Sequence, residues 1–401
     1  MATIAVLGTF DTKGEEHAYV AELIRARGHR ALLIDVGSWE PQGVMPDFTR
    51  QQVAAFAGVD LAELLARKDR GECVAAMSKA APVFLAKLAA ADEIHGVISL
   101  GGGGGTAIAT AAMRALPLGF PKLMVSTVAA GNTAHYLGTK DIVMMPSITD
   151  VAGLNRLSRM IFSRAAGAIC GMVEATVETA GSQPLVVASM FGNTTVCVTE
   201  AKRILEEAGY EVLVFAATGT GGRAMEALIE SGMVDGVLDL TTTELADELV
   251  GGVMTAGPER MDAAAKARVP VVVAPGCLDM VNFGEPASVP AKFAGRGFYF
   301  HNPQVTLMRT TPEECAELGR IMAEKTNHYK AAAIMVPKKA ISVISAAGQP
   351  FHYPAADEAL FEAIKIHSKV PVKELDEEIN SPAFARACAE KLLHLMGWSP
   401  A

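Results

Sequence analysis

Val97-Ile98-Ser99-Leu100-Gly101-Gly102-Gly103-Gly104-Gly105-Thr106-Ala107-Ile108-Ala109 reads as a buried strand that enters five consecutive glycines and leaves them through an alanine-rich helix. Backbone of this kind carries unhindered N–H groups, and the positive end of a helix dipole adds to them, so the arrangement suits a phosphate. A Walker loop would place Lys and then Ser or Thr after its last glycine. Here Thr106 is followed by Ala107 and Ile108, which excludes one. The dinucleotide pattern G-x-G-x-x-G threads trivially through five glycines and carries little weight. A flexible linker or tight packing turn is the plainer alternative, but a linker is rarely entered directly from a buried strand.

Outward from this stretch the chain alternates strands and helices. Residues 4–7 form a short apolar strand, residues 15–27 an amphipathic helix and residues 31–36 a second strand, the spacing of a βαβ unit. Residues 60–91 read as helical, residues 94–100, 122–127 and 142–145 as strands, and residues 151–178 as a long helix. Residues 179–184 have the composition of a linker. Beyond it, strands are expected at 184–189, 211–216, 234–238, 269–274 and 340–344, with helices at 194–208 and after the turn at 218–223, and helical structure over 357–396. The fold class expected is α/β, with two Rossmann-like doubly wound domains of mainly parallel sheet, residues 1–180 and 184–401, joined near Gly181. No convincing internal repeat aligns the two.

With 401 residues, 50% of them hydrophobic and 20% charged, the chain can bury two α/β cores and is not disordered. A net charge of -9 argues against nucleic acid or an anionic membrane surface as partner. The apolar runs are expected to fall short of a membrane span. Met1-Ala2-Thr3-Ile4 runs straight into a strand without a basic, apolar leader, so a cytoplasmic protein is expected. Cys73, Cys170, Cys197, Cys277, Cys315 and Cys388 form no C-x-x-C pair and read as buried free thiols.

Ligands of open parallel sheets collect at the carboxyl ends of the strands. Of the residues there, Thr9, Asp11, Thr12 and Lys13 follow the first strand, where Asp11 can hold Mg²⁺ and Lys13 can neutralise phosphate. Ordinary capping by Asp11 or Thr12 is the alternative. Gly102, Gly103, Gly104, Gly105 and Thr106 would cradle phosphates, and Thr127, Gly131, Asn132 and Thr133 would meet ribose or phosphate oxygens. His135 suits packing or capping as well as chemistry, and Asp150 suits an N-cap as well as a metal or ribose.

In the second half, Asp279 follows a buried strand as a proton acceptor or metal ligand, Asn282 can orient a substrate oxygen, and Cys277 reads as buried filler rather than a nucleophile. The stretch from His301 to Thr311 reads as a loop for an anionic small substrate, with Arg309 gripping a carboxylate or phosphate and His301 shuttling a proton. Alternatively, Arg309 pairs with Glu313 or Glu314. For Glu244 and Asp247, capping and solvation serve as well as catalysis.

The glycine stretch is similar to the Gly-Gly-x-Gly-Thr turn of phosphofructokinase-type and NAD-kinase-type enzymes. Together with Val6-Leu7-Gly8-Thr9-Phe10-Asp11-Thr12-Lys13-Gly14, Ser126 to Thr133, Pro146-Ser147-Ile148-Thr149-Asp150, Ala274 to Gly284 and Phe300-His301-Asn302-Pro303, it resembles the ATP-binding domain family named after the tomato mosaic virus resistance protein. The resemblance spans nearly the whole chain. It implies a two-domain α/β protein that binds ATP in its amino-terminal domain and forms a homodimer. Plant relatives carry a further barrel domain and inhibit viral RNA replication; this chain ends at Ala401, so the antiviral role is not expected, and a separate barrel-domain protein is the partner suggested. The function expected is Mg-ATP-dependent phosphoryl or nucleotidyl transfer to a small carboxylate metabolite, with ATP and Mg²⁺ in the first domain, a second-domain pocket facing the interdomain cleft, and Asp279 or His301 as base. The alternative is a non-catalytic, nucleotide-responsive binding or scaffold module that acts with the barrel partner.

Overall fold

The computed structural model describes residues 1–61, 64, 69–176 and 183–398. The chain divides into two compact units, Met1–Thr179 and Ala180–Ala401. The expected joint at Gly181 lies outside the described residues.

Unit one is a parallel sheet of β1 (Thr3–Gly8), β2 (Arg30–Asp35), β3 (Gly96–Gly101), β4 (Lys122–Ser126) and β5 (Val143–Pro146), in the order β2-β1-β3-β4-β5. Its inner strands are short apolar runs because both faces are covered. Successive side chains of β1 enter opposite cores: Ala5 and Leu7 pack with Ile34, Val97 and Met124, while Ile4 and Val6 pack with Leu33, Ile98 and Leu123. The helices Phe10–Ala26 and Arg156–Glu174 supply the second core, and Arg70–Ala90 and Gly103–Arg114 the first. The helices that follow β1 and β3 therefore leave to opposite faces, which opens a crevice at the carboxyl ends of these two strands.

Two expectations change here. The first helix starts at Phe10 rather than Glu15, so Asp11 and Lys13 sit inside its opening turn instead of in a preceding loop. Helix Arg70–Ala90 is, by length and composition, apolar enough to cross a membrane, contrary to the reading of the apolar runs. Its Met77, Ala80, Ala81, Leu85 and Leu88 are buried in the core of unit one.

Unit two runs through β6 (Leu185–Met190), β7 (Glu211–Ala216), β8 (Gly236–Thr241) and β9 (Val271–Gly276), then β10 (Met280–Phe283), β11 (Phe298–Asn302) and β12 (Val305–Arg309), and closes with β13 (Ala332–Pro337) and β14 (Val372–Leu375). The parallel sheet has the order β14-β13-β9-β8-β6-β7, and β10-β12-β11 forms a separate antiparallel sheet. Both units thus reverse strand order beside their first strand. The expected loop from His301 to Thr311 is largely this antiparallel hairpin, whose polar residues pair through backbone rather than through local pattern. The strand expected at 340–344 is instead β13, eight residues earlier, with a 3₁₀ turn at Val343–Ser345. Helices Pro354–His367 and Pro382–Leu395 flank β14, so 357–396 is not continuously helical. All six cysteines are free and buried.

A buried charge network joins the elements of unit two. Arg260, 1% exposed, donates to Asp239 at 2.6 and 2.7 Å, to Glu244 at 2.7 Å and to Glu226 at 3.2 Å. Desolvation works against its charge, but Asp239, Glu244 and Glu226 together hold its pKa well above the ordinary range. Replacing Arg260 with Met should cost about 3–5 kcal/mol, because it leaves buried carboxylates without their cation. Chemical denaturation measures this, and a loss below about 1 kcal/mol would contradict the assignment.

Candidate functional site

Helix Gly103–Arg114 begins directly after β3, and its N-cap, Gly102, makes no side-chain cap. The first N–H groups of any helix lack intrahelical partners. A Cβ on Gly103 would meet nothing within 4 Å, whereas on Gly102 it would stand 3.8 Å from Thr127 Oγ1 and on Gly105 3.9 Å from Thr9 Oγ1. The turns after β1, β3 and β4 thus meet at the crevice. Gly101 is the tight member, where a Cβ would lie 3.2 Å from Gly105 Cα.

Not every expected residue faces this space. Thr106 is fully buried, bonds Ser126 Oγ at 2.7 Å and spends its N–H on Gly102 O, so it braces the helix instead of meeting a ligand. Thr127, Gly131 and Asn132 are exposed and Thr133 is half-buried; Asn132 Oδ1 accepts from Ala134 N at 3.2 Å. His135 is exposed against the ring of Tyr136, and Asp150 is exposed ahead of Asn155, which is the residue that caps the long helix.

Asp11 is buried, and its Oδ2 accepts from Ser38 N and Trp39 N at 3.1 Å each, while Thr12 Oγ1 donates to Oδ1 at 3.4 Å. It pins the segment after β2. Its two oxygens accept three hydrogen bonds, and among the described residues no group of three or more His, Cys, Asp or Glu could hold a metal. Lys13 is half-buried at a kink in the first helix, φ -134° and ψ 25°, and no described carboxylate pairs with it.

Sequence reasoning passed over His17. Its Nδ1 donates to Lys13 O at 2.6 Å and its Nε2 accepts from Leu100 N at 3.3 Å, and these two partners select one neutral tautomer. Burial pushes its pKa down to about 4, with the Lys13 charge adding to the effect and the backbone bonds opposing it. The imidazole therefore ties the Lys13 kink to the residue that precedes the glycines. Gly8 is required beside it, since a Cβ there would collide with the ring. A signal was available: His17 shares the apolar helix face of Val20, Ala21 and Ile24.

In unit two Asp279 and Arg309 come together, Thr310 N donating to Asp279 O at 3.1 Å, whereas His301 stands apart from them. Asp279 is fully buried, its Oδ2 accepts from Ser342 Oγ at 2.7 Å, and its Oδ1 has no hydrogen-bond partner. Burial pushes its pKa up to about 6 against the pull of Arg309. Arg309 is buried and donates to Asp357 Oδ1 at 2.6 Å and Phe351 O at 2.8 Å; Glu314 pairs instead with Arg296. His301 is exposed on the hairpin, its ring 6.3 Å from that of Tyr299. Asp247 and Glu244 are buried struts, and neither is solvated or caps the helix it belongs to: Asp247 accepts from Asn282 N and Met254 N at 2.7 Å. Glu244 Oε1 accepts from Gly219 N at 2.7 Å and Gly222 N at 3.1 Å. The glycine turn of unit two, at the start of helix Thr220–Glu230, is thus filled by the protein's own carboxylate.

Residues 2–178 match the profile described as the N-terminal domain of an uncharacterised protein family, UPF0261, and residues 183–396 match its C-terminal domain. A UPF0261 protein of Clostridium tetani is 48% identical over 98% of this chain and 98% of its own, and one of Rhizobium meliloti is 47% identical over 96% and 97%. The ToMV resistance protein Tm-1 of Solanum lycopersicum is 36% identical over 97% of this chain, which spans 55% of that protein. Among solved structures, UDP-N-acetylglucosamine 2-epimerase of Rickettsia bellii is similar over 67% of this chain and 78% of its own, at 10% identity and a TM-score of 0.20. MurG of Acinetobacter baumannii covers 98% and 100% at 11% identity and a TM-score of 0.21. Likeness at that level carries no argument; the α/β architecture rests on the strand orders above.

Because the folded His17 titrates near 4 and an unfolded histidine near 6.5, the folded state binds fewer protons between these values. Its contribution is present above pH 6.5 and is lost as pH falls through 4, amounting to about 3 kcal/mol. Denaturation curves across this window should show the excess acid sensitivity in the parent and not in His17→Gln. Equal slopes in the two proteins would show that His17 is not held neutral.

Proposed function

The chain belongs to the uncharacterised protein family UPF0261, and we propose that it is an ATP-binding protein whose amino-terminal unit takes the phosphates at the start of helix Gly103–Arg114. The observation that carries this reading is the uncapped glycine turn at the point where strand order reverses, with open space over Gly103. The corresponding turn of unit two supports it, because there a carboxylate already serves the same kind of N–H groups. Lys13, free of any described carboxylate, supplies positive charge from the first helix. Mg²⁺ would enter on the phosphates, with Asp11 Oδ1 the carboxylate oxygen nearest to hand, since Oδ2 holds the backbone of Ser38 and Trp39.

Transfer to a small carboxylate metabolite needs a base beside the acceptor. Asp279 is enclosed and bonded to Ser342, Arg309 is committed to Asp357, and His301 stands apart on an exposed hairpin. These placements favour the second reading, a nucleotide-responsive binding module, over a transferase. Mass spectrometry after incubation with Mg-ATP, small organic acids and a barrel-domain partner should then find the nucleotide unchanged. Accumulated ADP or AMP with a modified acid would restore the transferase. The homodimer and the barrel partner are part of the same proposal, read out by the mass of the particle in solution.

ATP should raise the thermal midpoint of the parent protein, and Gly103→Val should abolish the shift while circular dichroism stays unchanged, since a Cβ at that site meets no protein atom within 4 Å. An undiminished shift would remove the glycine turn from the site. Lys13→Ala should weaken ATP roughly tenfold and leave adenosine unaffected, because only phosphates need the ammonium group. Equal losses in titration calorimetry would make Lys13 a structural residue.

A further inference from the structure

Helix Pro354–His367 presents Asp357, Phe361 and Lys365 at every fourth residue, and so on one face. All three line a cavity of about 270 Å³ together with Lys338, Glu358 and Glu374. Lys338 directly follows β13, and its N–H is held by Leu375 O at 2.9 Å, at the close of β14. The cavity therefore lies at the carboxyl ends of two strands of the parallel sheet of unit two, where such sheets take their ligands.

Asp357 is the fixed part of its wall. It is 8% exposed, and Arg309 Nη2 donates to its Oδ1 at 2.6 Å, while Oδ2 accepts no hydrogen bond among the described residues. Arg309 also donates to Phe351 O at 2.8 Å and Tyr353 O at 3.4 Å, and these bonds fix the chain that enters the helix. The same guanidinium answers Asp279, a second buried carboxylate with an unpartnered oxygen. One cation thus serves two carboxylates, and burial pushes the pKa of both up. A buried carboxylate with an unused oxygen on a cavity wall calls for a donor from the ligand, and a charged donor makes the stronger bond. Lys365 is spent on Glu362 at 3.1 Å and Glu374 at 3.4 Å. Lys338 is exposed, and its ammonium group pairs with no described carboxylate.

We infer that this cavity is a binding site for an α-amino acid, whose ammonium group pairs with Asp357 and whose carboxylate pairs with Lys338. A bare anion would meet Asp357 and Glu358, and a bare amine would leave Lys338 unanswered. Phe361, 6% exposed, and Pro354 supply apolar lining for an aliphatic side chain. Arg309 is a positioning residue that acts through Asp357. The inference concerns unit two alone and does not rest on the nucleotide reading of unit one.

Saturation-transfer NMR on the full chain with a pool of the standard L-amino acids, at about 1 mM each, should detect binding of aliphatic members. Titration calorimetry then compares the best binder with the amine that lacks its carboxylate and with the acid that lacks its ammonium group. Each analogue should bind roughly tenfold more weakly. Lys338→Ala, at an exposed position, should reduce the amino acid to the affinity of the bare amine and leave the amine unchanged. Asp357→Asn should reduce it to the affinity of the deaminated acid; should that variant not fold, the two analogues on the parent protein read the same pairing. The inference is overturned by an absence of transfer to every amino acid, or by an analogue that binds as tightly as the amino acid. An undiminished affinity in Lys338→Ala would overturn it as well.

Discussion

The N–H groups at a helix start must find an acceptor, and the two glycine-rich turns of this protein meet that demand differently. In unit two the acceptor is internal: Glu244 reaches Gly219 and Gly222, and Arg260 balances its charge. Asp239 orients Arg260 in turn and is itself held by Ser189 at 2.6 Å, so one chain of charges binds β6, β8 and the intervening helices. In unit one no side chain caps helix Gly103–Arg114. The same backbone device is closed in one unit and accessible in the other, and this difference separates a structural turn from a candidate binding turn.

Around the accessible turn, buried polar groups do the positioning. His17 fastens the end of β3 to the kinked helix, Asp11 fastens the segment after β2 to the same helix, and Asp35 ties that segment to its strand. None of these groups can face a ligand freely, yet together they hold the walls in one geometry. Preorganisation of this kind lowers the ordering cost of binding. Unit two uses buried acids as struts: desolvation pushes Asp247 up to about 7 and Asp279 up to about 6, and each engages neighbouring chain or side-chain donors. A carboxylate so placed reports on internal architecture before it reports on chemistry.

Much of the architecture was legible in the residues. Ile4 to Leu7 and the run into Gly101 read as buried parallel strands because both faces are apolar, and the glycine run marked the start of the helix at the candidate site. The hairpin of β11 and β12 was not legible, since Phe298–Asn302 and Val305–Arg309 flank a short polar turn and their pairing depends on β10, drawn from another part of the chain. His17 lies within the stretch read as an amphipathic helix, and Trp39 in none of the elements read from the sequence. Their partners lie far off: Leu100 is 83 residues from His17, and Asp11 is 28 from Trp39.

The sequence by itself determined the α/β class, the positions of most strands, the buried cysteines and the glycine turn, because periodicity and backbone freedom belong to contiguous residues. Only the tertiary structure decided which polar residues are struts and which are accessible. Asp279, Arg309 and Thr106 have the residue types of a site, but they are enclosed by partners that arrive through crossover connections. Burial and hydrogen-bond satisfaction are properties of the assembled sheet, and a carboxylate read along the chain carries no record of the donors that will surround it.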